Sequence, residues 1–343
     1  MTQSTQTLDL EAVAAYMRDA VPGFEGPIQA EKFEVGQSNP TFLLKTPARN
    51  YVLRRKPPGQ LLKSAHAVDR EFRVQSALAD TRVPVAGMHV LCEDDAVIGS
   101  MFYIMDHVAG RNFRLPTLEE LSVPDRTAVL DNMNEVLAEL HNVDVDAVGL
   151  SDFGPPGNYY ERQIARWSKQ YRASETVKVP DMDRLMAQIV EQTPEDDGQR
   201  TLVHGDYRID NMIHQADGTR CLAVLDWELS TIGHPYADLA SVIMQWQMPA
   251  GPEGRGMGGV DRAANGLPTD ADFIARYCDR RGLPEIENFG FYLAFCFFRM
   301  TGIIQGVLKR ALDGNASNPE RARQMGQYVP VFARHGLNAL NGS

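Results

Sequence analysis

The most constraining feature of this 343-residue sequence is a pair of polar segments, each of which adjoins a short apolar run. In the first, Asp206 follows His204-Gly205 and precedes Asn211 by five positions; in the second, Asp226 ends the apolar run 222–225. Phosphoryl transfer from a metal nucleotide needs one carboxylate that orients the acceptor hydroxyl and takes its proton. It also needs oxygen ligands for Mg²⁺. The pattern therefore predicts Asp206 as the catalytic base and Asn211 and Asp226 as metal ligands.

The residues between these segments predict a β-hairpin. Two short apolar runs, 212–214 and 221–225, are separated by a polar stretch, 215–219, that contains an Asp-Gly pair. Asp-Gly between apolar runs is a strong signal for a tight hairpin turn. The hairpin would bring Asn211 and Asp226 side by side at one end. A lone His-Gly-Asp is most often a surface turn, so the full spacing carries the prediction.

The arrangement of Asp206, Asn211 and Asp226 resembles the aminoglycoside phosphotransferase and choline kinase branch of the protein-kinase-like fold. The similarity runs from about Phe33 to the C-terminal helices, and it is most specific to the kinase-like domains fused to acyl-CoA dehydrogenase modules in some long proteins. Four segments carry that closer resemblance: YVLRRKPPG at 51–59, SAHAVDRE at 64–71, QYRASE at 170–175 and VLDWELST at 224–231. No dehydrogenase module follows, so a stand-alone version is expected.

The resemblance implies an α+β, bilobal protein-kinase-like fold, with a small antiparallel β N-lobe and a larger helical C-lobe. The N-lobe would span residues 1–105 and contain the nucleotide phosphate loop, with strands over 83–91 and 101–105 completing its sheet. A hinge would occupy 106–110. The C-lobe, 111–343, would carry the catalytic and metal loops and the acceptor site, and would close with helices over 270–282, 288–312 and 318–337. ATP and Mg²⁺ are the implied cofactors.

The expected nucleotide-binding residues lie mainly in the N-lobe. Arg54, in a predicted strand, occupies the position where the fold normally has a phosphate-binding lysine, and arginine can still bind phosphate through its planar fork. Glu71 is on the apolar face of a predicted helix, where a carboxylate needs a partner, and the resemblance implies that this partner is Arg54. A solvated strand end and a water-exposed Glu71 are the alternatives. The other expected contacts are Ser38 in the phosphate loop, Met105 behind the adenine, and the backbone of Asp106 and Val108.

Basic residues suggest where an acceptor could bind. A predicted helix over 160–172 places Arg162, Arg166 and Lys169 on one face, and the resemblance implies a coenzyme A thioester whose phosphates need cations. A solvated helix face is an equally good interpretation. Arg208, inside the catalytic loop, would either neutralise charge in the transition state or pair with a neighbouring acid.

Three functions stay open. The first is ATP- and Mg²⁺-dependent transfer to a hydroxyl of a small molecule, with a hydroxyacyl-CoA as the favoured acceptor. The second is an aminoglycoside or amino-alcohol kinase, which would need an acidic acceptor pocket. The third is a nucleotide-binding pseudokinase with a regulatory role. The intact Asp206, Asn211 and Asp226 argue against the third, whereas Arg54 in place of lysine leaves it open.

Charge, cysteine content and apolar runs limit the partners and the cellular location that can be expected. The net charge is -11, which disfavours nucleic acid and anionic membrane surfaces as partners. Four widely separated cysteines suggest neither a zinc site nor a disulfide framework. The segment 1–9 lacks a signal-peptide pattern, and the apolar run 289–308 is interrupted by Arg299, which indicates a buried helix instead of a membrane span. A cytoplasmic enzyme is therefore expected.

Overall fold

The computed structural model describes residues 8–33, 39–57, 67–316 and 318–342. The chain divides into two compact units. The first comprises Met1–Phe113, Val143–Leu150 and Arg208–Ser230, and the second comprises Arg114–Asn142, Ser151–Tyr207 and Thr231–Ser343. The predicted N-lobe thus falls in the first unit. That unit also takes in 208–230, the segment expected in the C-lobe, because Val224 N donates to Pro84 O and Arg111 and His214 exchange backbone hydrogen bonds.

The strands are β1 (Gln29–Lys32), β2 (Thr41–Lys45), β3 (Asn50–Arg55), β4 (Met88–Cys92), β5 (Phe102–Asp106), β6 (Thr201–Val203), β7 (Met212–His214), β8 (Cys221–Val224) and β9 (Thr231–Gly233). The helices are α1 (Leu10–Ala20), α2 (Val68–Leu78), α3 (Val123–His141), α4 (Tyr159–Ser174), α5 (Pro180–Glu191), α6 (Tyr236–Gln247), α7 (Asp270–Arg281), α8 (Phe289–Leu312), α9 (Pro319–Gly326) and α10 (Val329–Leu340). Single 3₁₀ turns occupy Ile209–Asn211 and Trp227–Leu229.

The first unit is built on a five-stranded antiparallel sheet with the order β1-β2-β3-β5-β4. Side chains of β2 alternate between buried and partly exposed, as expected for a strand with one face on a core. Helix α1 covers that core with Val13 and Met17, which are fully buried together with Leu44 and Ile104. The apolar face of α1 and the inward-facing side chains of the sheet therefore form one core.

The predicted hairpin is present in the first unit. Strands β7 and β8 pair antiparallel, with Met212 opposite Val224. The hydrogen bond from Leu225 N to Asn211 O, at 2.7 Å, extends the pairing to the residues at the open end. The hairpin therefore brings the backbone of Asn211 next to the residue that precedes Asp226, as predicted.

The second unit is mainly helical, and α8 is its central element, packed against α4, α5, α6, α9 and α10. Its buried face is aromatic, and Tyr160 of α4 contacts Phe291 and Phe295 edge-on. By length and composition, α8 is the one helix in the described part of the chain that is apolar enough to cross a membrane. However, 72% of its most apolar window is buried in the protein, as in a core helix.

Candidate active site

The cation predicted to bind phosphate is held between carboxylates in the first unit. Arg54 Nε lies 2.8 Å from Glu71 Oε2, and its Nη2 lies 2.9 Å from Asp226 Oδ1. Glu228 is further away, with Oε2 3.8 Å from Nη2. Burial alone would lower the pKa of Arg54, but the negative charges around it, Glu71 foremost, raise that pKa above its ordinary value. Arg54 is therefore a permanent cation, and the predicted ion pair with Glu71 is confirmed.

Glu71 is the buried anchor of this group. Its side chain is 1% exposed and accepts hydrogen bonds from Asn39 Nδ2 at 2.8 Å and from the Tyr103 hydroxyl at 3.1 Å. Burial raises the pKa of Glu71, while the charge of Arg54 acts in the opposite direction. Sequence reasoning missed Asn39, which is itself buried. The predicted phosphate-loop contact, Ser38, lies outside the described residues.

The two predicted metal ligands lie at the open end of the hairpin, Asn211 just before β7 and Asp226 shortly after β8. Asp226 adopts a left-handed backbone conformation, with φ of 66°, where the chain leaves β8 for the turn at 227–229. Asn211 ends the 3₁₀ turn that precedes β7. Amide and carboxylate oxygens suit Mg²⁺, which usually takes one or two protein ligands and completes its shell with phosphates and water. The described residues contain no cluster of three or more His, Cys, Asp or Glu side chains able to hold a metal alone.

Arg208 is engaged by its neighbour in the same loop. Its Nε lies 3.0 Å from Asp210 Oδ1 and its Nη2 lies 2.6 Å from Asp210 Oδ2, so the guanidinium meets the carboxylate through two parallel hydrogen bonds. This is the salt bridge that the sequence left open as the alternative to a role in neutralising transition-state charge. A catalytic role for Arg208 stays a prediction.

The predicted adenine-binding segment ends the strand β5. Met105 pairs with Val52 on one side and Met88 on the other. The Asp106 N–H donates to Gly87 O at 2.8 Å, so that N–H is already used by the sheet. Any backbone contact between Asp106 and an adenine would therefore come from its carbonyl oxygen. Val108 is partly exposed in the loop that follows.

The predicted catalytic base lies in a tightly held loop of the second unit. Asp238 accepts the N–H groups of His204 at 2.6 Å and Gly205 at 2.8 Å, while Arg299 Nη2 donates to Gly205 O at 3.0 Å. The Asp206 N–H points to His204 Nδ1 at 3.2 Å. Gly205 has a φ of +84°, which a side chain would disfavour. Hydrogen bonds to Asp238, Arg299 and His204 therefore hold the backbone around Asp206 in place.

Asp238 belongs to a buried polar chain. His141 Nε2 is 3.4 Å from its carboxylate, and His141 Nδ1 is 2.7 Å from the Tyr277 hydroxyl. Burial raises the pKa of Asp238, but the hydrogen bond and charge of His141 together with the Gly205 N–H outweigh it and hold the pKa below its usual value. Asp238 therefore stays ionised and can accept the loop N–H groups.

The predicted basic face of α4 is only partly open. Arg162 folds back onto the preceding loop and donates to Pro156 O at 2.7 Å and to Gly157 O. It also lines a recess with three consecutive acids, residues 195–197. Arg166 lies over the Trp167 ring at 5.5 Å, and both Arg166 and Lys169 are exposed. Acceptor binding by these three cations stays a prediction.

Comparison with known proteins agrees with this geometry. Residues 29–273 match the sequence profile of the phosphotransferase enzyme family. Acyl-CoA dehydrogenase family member 10 of Mus musculus is 42% identical over 333 residues, which cover 96% of this chain and 31% of that protein. The chain thus spans about a third of the length of this curated relative.

Solved structures show the same architecture. A crystal structure of a Ralstonia eutropha protein, provisionally described as an aminoglycoside phosphotransferase, is 46% identical, with a TM-score of 0.91 over 98% of this chain and 99% of that one. A thermostable variant of the aminoglycoside phosphotransferase APH(4)-Ia, crystallised with AMP-PNP and hygromycin B, is 18% identical, with a TM-score of 0.62 over 97% of this chain and 99% of that one. The predicted α+β kinase-like fold is confirmed.

Proposed function

The chain belongs to the phosphotransferase enzyme family, and from that membership we propose that it transfers a phosphoryl group from ATP to a hydroxyl of a small molecule. The observation that carries the proposal is the group formed by Arg54, Glu71 and Asp226. It joins a permanent cation, its buried counter-ion and the carboxylate of Asp226, whose preceding residue, Leu225, is hydrogen-bonded to Asn211 O. Catalysis of phosphoryl transfer consists mainly of positioning and of stabilising charge, which is the work such a group can do.

Each of these residues has a defined part in the proposed reaction. Arg54 would bind phosphate oxygens with its planar fork, oriented by Glu71 from behind. Asn211 and Asp226 would hold Mg²⁺, which when bound offsets the negative charge of the transferring group. Asp206 would orient the acceptor hydroxyl and accept its proton late in the transfer. Because the loop around Asp206 is held through backbone groups, the Asp206 carboxylate would need little rearrangement to reach the acceptor hydroxyl.

The proposed acceptor is a hydroxyacyl-CoA. The support is the 42% identity, over almost the whole chain, to a protein named as an acyl-CoA dehydrogenase family member. A phosphate ester leaves a carbon chain more readily than a hydroxyl, so phosphorylation would prepare a hydroxyacyl thioester for removal of that oxygen. The proposed location is the cytoplasm, where the buried free thiols of Cys92, Cys221, Cys278 and Cys296 would stay reduced.

An aminoglycoside or amino alcohol is the second candidate acceptor. It is favoured by the provisional description of the Ralstonia eutropha protein, which is 46% identical to this chain. Cationic acceptors need acidic side chains, and residues 195–197 supply three acids at one recess of the second unit. The two candidates carry opposite charges, so a direct comparison of substrates separates them.

The test is ATP consumption by the purified protein with Mg²⁺ and a panel of acceptors: 3- and 4-hydroxyacyl-CoAs, the free acids, choline and kanamycin. We expect phosphorylation of a hydroxyacyl-CoA, loss of turnover in Asp206→Ala with nucleotide binding retained, and weaker Mg²⁺-dependent nucleotide binding in Asp226→Ala. Tight nucleotide binding without turnover on any acceptor would favour a regulatory pseudokinase. Full activity of Asp206→Ala would show that another group is the base.

A further inference from the structure

Arg299 is the only charged residue among the first twenty residues of α8, 289–308. A cation inside an apolar helix is unfavourable unless it has partners. Among the residues that the structure describes, the Arg299 guanidinium has one hydrogen-bond partner, Gly205 O, and it forms no ion pair. A guanidinium carries five N–H groups, and this side chain is only partly buried. Most of its donors are therefore available to a ligand.

The contact with Gly205 sets the position of this cation. The Gly205 carbonyl and the Asp206 nitrogen belong to the same planar peptide unit, and Arg299 Nη2 lies 3.0 Å from that carbonyl oxygen. The cation is thus fixed beside the predicted catalytic base through a backbone atom, not through the base's own carboxylate. A neutral donor could hold the loop equally well, so the positive charge itself calls for a reason.

We propose that Arg299 determines acceptor specificity by donating to an oxygen of the acceptor's acyl group while Asp206 holds the hydroxyl to be phosphorylated, an inference that rests on the proposed function. In a 3-hydroxyacyl thioester the hydroxyl and carbonyl oxygens are roughly 3–5 Å apart, given carbon–carbon bonds of about 1.5 Å. Asp206 in the catalytic loop and Arg299 in α8, which is hydrogen-bonded to the preceding residue of that loop, are therefore placed to contact one oxygen each. The same charge repels the ammonium groups of choline or an aminoglycoside.

The surroundings of Arg299 fit a ligand oxygen. Tyr159 of α4 is close enough for the charge of Arg299 to act on its hydroxyl, although burial is the larger influence and raises the pKa of Tyr159 to about 12. That phenol therefore remains a neutral donor at physiological pH. A cation with a neutral phenol within range of its charge suits a carbonyl or carboxylate oxygen better than an amine.

The experiment measures equilibrium binding, so that it does not depend on turnover. Calorimetry would compare 3-hydroxybutyryl-CoA, coenzyme A and kanamycin on the wild-type protein, Arg299→Met and Arg299→Lys. The methionine variant keeps an unbranched apolar stem without the charge, and the lysine variant keeps the charge. Nucleotide affinity and thermal unfolding of each variant report whether the loop and the fold survive.

We expect Arg299→Met to weaken 3-hydroxybutyryl-CoA binding by roughly 10- to 100-fold, the range for a lost hydrogen bond to a charged group. Coenzyme A, which lacks the acyl group, should lose less than about 2-fold, and Arg299→Lys should restore most of the loss. An equal loss for coenzyme A would overturn the inference, because Arg299 would then bind another part of the ligand. Unchanged 3-hydroxybutyryl-CoA affinity in Arg299→Met, or wild-type binding of kanamycin alone, would also overturn it.

These outcomes separate the inference from the proposed function. Phosphoryl transfer to kanamycin with no binding of 3-hydroxybutyryl-CoA would support the proposed kinase activity and contradict the role proposed for Arg299. Binding of 3-hydroxybutyryl-CoA that depends on the charge at position 299, without phosphoryl transfer from ATP, would support the acyl contact and contradict the proposed kinase activity. In steady-state kinetics, a rise in the acceptor KM with an unchanged KM for ATP would support the inference. A fall in kcat alone would reduce Arg299 to an anchor of the loop.

Discussion

Arg54 Nε lies 2.8 Å from Glu71 Oε2, and the pair is almost completely shielded from water. Replacing Arg54 by Met would leave the Glu71 carboxylate buried without its counter-ion. We expect the free energy of unfolding to fall by about 3–5 kcal/mol. Turnover should fall roughly 10²- to 10³-fold, because the phosphate oxygens lose a charged donor. Urea unfolding and steady-state kinetics measure the two effects separately.

Two companion variants sharpen this prediction. Arg54→Lys restores the residue type usual in the fold, but one ammonium cannot reach both Glu71 and Asp226 as the guanidinium does, so we expect an intermediate loss. Lys56→Met removes a cation just beyond the same strand, where Nζ is 3.6 Å from Asp69 at the surface. It should change stability by less than about 1 kcal/mol. Equal effects of Arg54→Met and Lys56→Met would contradict the role given to the buried pair.

The parts of the site that depend on local pattern could be predicted from the sequence. The Asp-Gly turn between two apolar runs fixed the hairpin, and the hairpin fixed which strand ends carry Asn211 and Asp226. A carboxylate on an apolar helix face needs a cation, and the resemblance to the kinase-like fold identified that cation as Arg54. The first argument needs only secondary structure, whereas the second also needs the resemblance, because Arg54 in β3 and Glu71 in α2 meet only in the tertiary structure.

Other elements were predicted less well. A strand was predicted over 83–91, but β4 begins at Met88, because Pro84 uses its carbonyl to bind Val224 N of the hairpin. A single helix was predicted over 318–337, but the chain breaks at 327–328 and α10 begins at Val329, with Pro330, which has no N–H to donate to the preceding turn, in its first turn. Helix α5 was not predicted.

Two site residues were missed because their partners are distant in the chain. Asn39 is one polar residue in a polar loop, and only the tertiary structure brings its amide 2.8 Å from Glu71. In the sequence Arg299 interrupts an apolar run, yet its contact with Gly205, 94 positions away, has no sequence signature. A lone cation in a buried helix is the signal that would have marked it.

His214 gives the stability of the first unit a pH dependence. Its side chain is fully buried, neither ring nitrogen has a hydrogen-bond partner among the described residues, and burial, helped by the charge of Arg111, lowers its pKa to about 4. The unfolded chain, with an ordinary histidine pKa of about 6.5, binds the proton first as the pH falls. Stability is therefore highest above pH 6.5 and is lost between about pH 6.5 and pH 4.

The variant His214→Leu tests this dependence. Between pH 7.5 and pH 4.5 the wild-type protein should lose roughly 2–3 kcal/mol more unfolding free energy than the variant, since the variant has no proton to exclude. Urea unfolding of both proteins at the two pH values gives the difference directly. The difference between the two proteins at pH 7.5 gives the effect of replacing the buried imidazole by leucine, apart from any titration. Parallel losses in the two proteins would assign the acid sensitivity to other groups.

Two glycines of α8 differ in the room around them. A Cβ at Gly306 would lie 3.7 Å from Gln170 Nε2, an ordinary contact, whereas a Cβ at Gly302 would lie 3.3 Å from the Trp167 ring. We expect Gly306→Ala to stabilise the protein by about 0.5–1 kcal/mol, because alanine is the better helix former. Gly302→Ala should be less stable than Gly306→Ala, since it presses α8 against α4. Urea unfolding compares them, and the reverse order would mean that Trp167 moves freely.

Asp238 should control turnover through the loop that carries Asp206. Its carboxylate accepts two loop N–H groups, at 2.6 and 2.8 Å, and an asparagine in its place offers one oxygen and an opposing NH₂ group. We expect Asp238→Asn to lower kcat by roughly 10- to 100-fold through loss of one buried hydrogen bond to a charged acceptor. The KM for ATP should change less than 2-fold, about 0.4 kcal/mol, because the proposed phosphate contact, Arg54, is in the first unit.

Asp197→Asn is the matched control, because Asp197 also faces a histidine, with Oδ2 3.3 Å from His234 Nε2, but in the described residues its hydrogen bonds go to Gln199 and His234 and not to the catalytic loop. Its kcat should stay within about 2-fold of the wild-type value. If Asp197→Asn slowed turnover as much as Asp238→Asn, the effect would come from general loosening of the second unit. If Asp238→Asn kept full kcat, the backbone of the loop would hold Asp206 without the carboxylate, and Arg299 would be the anchor that remains.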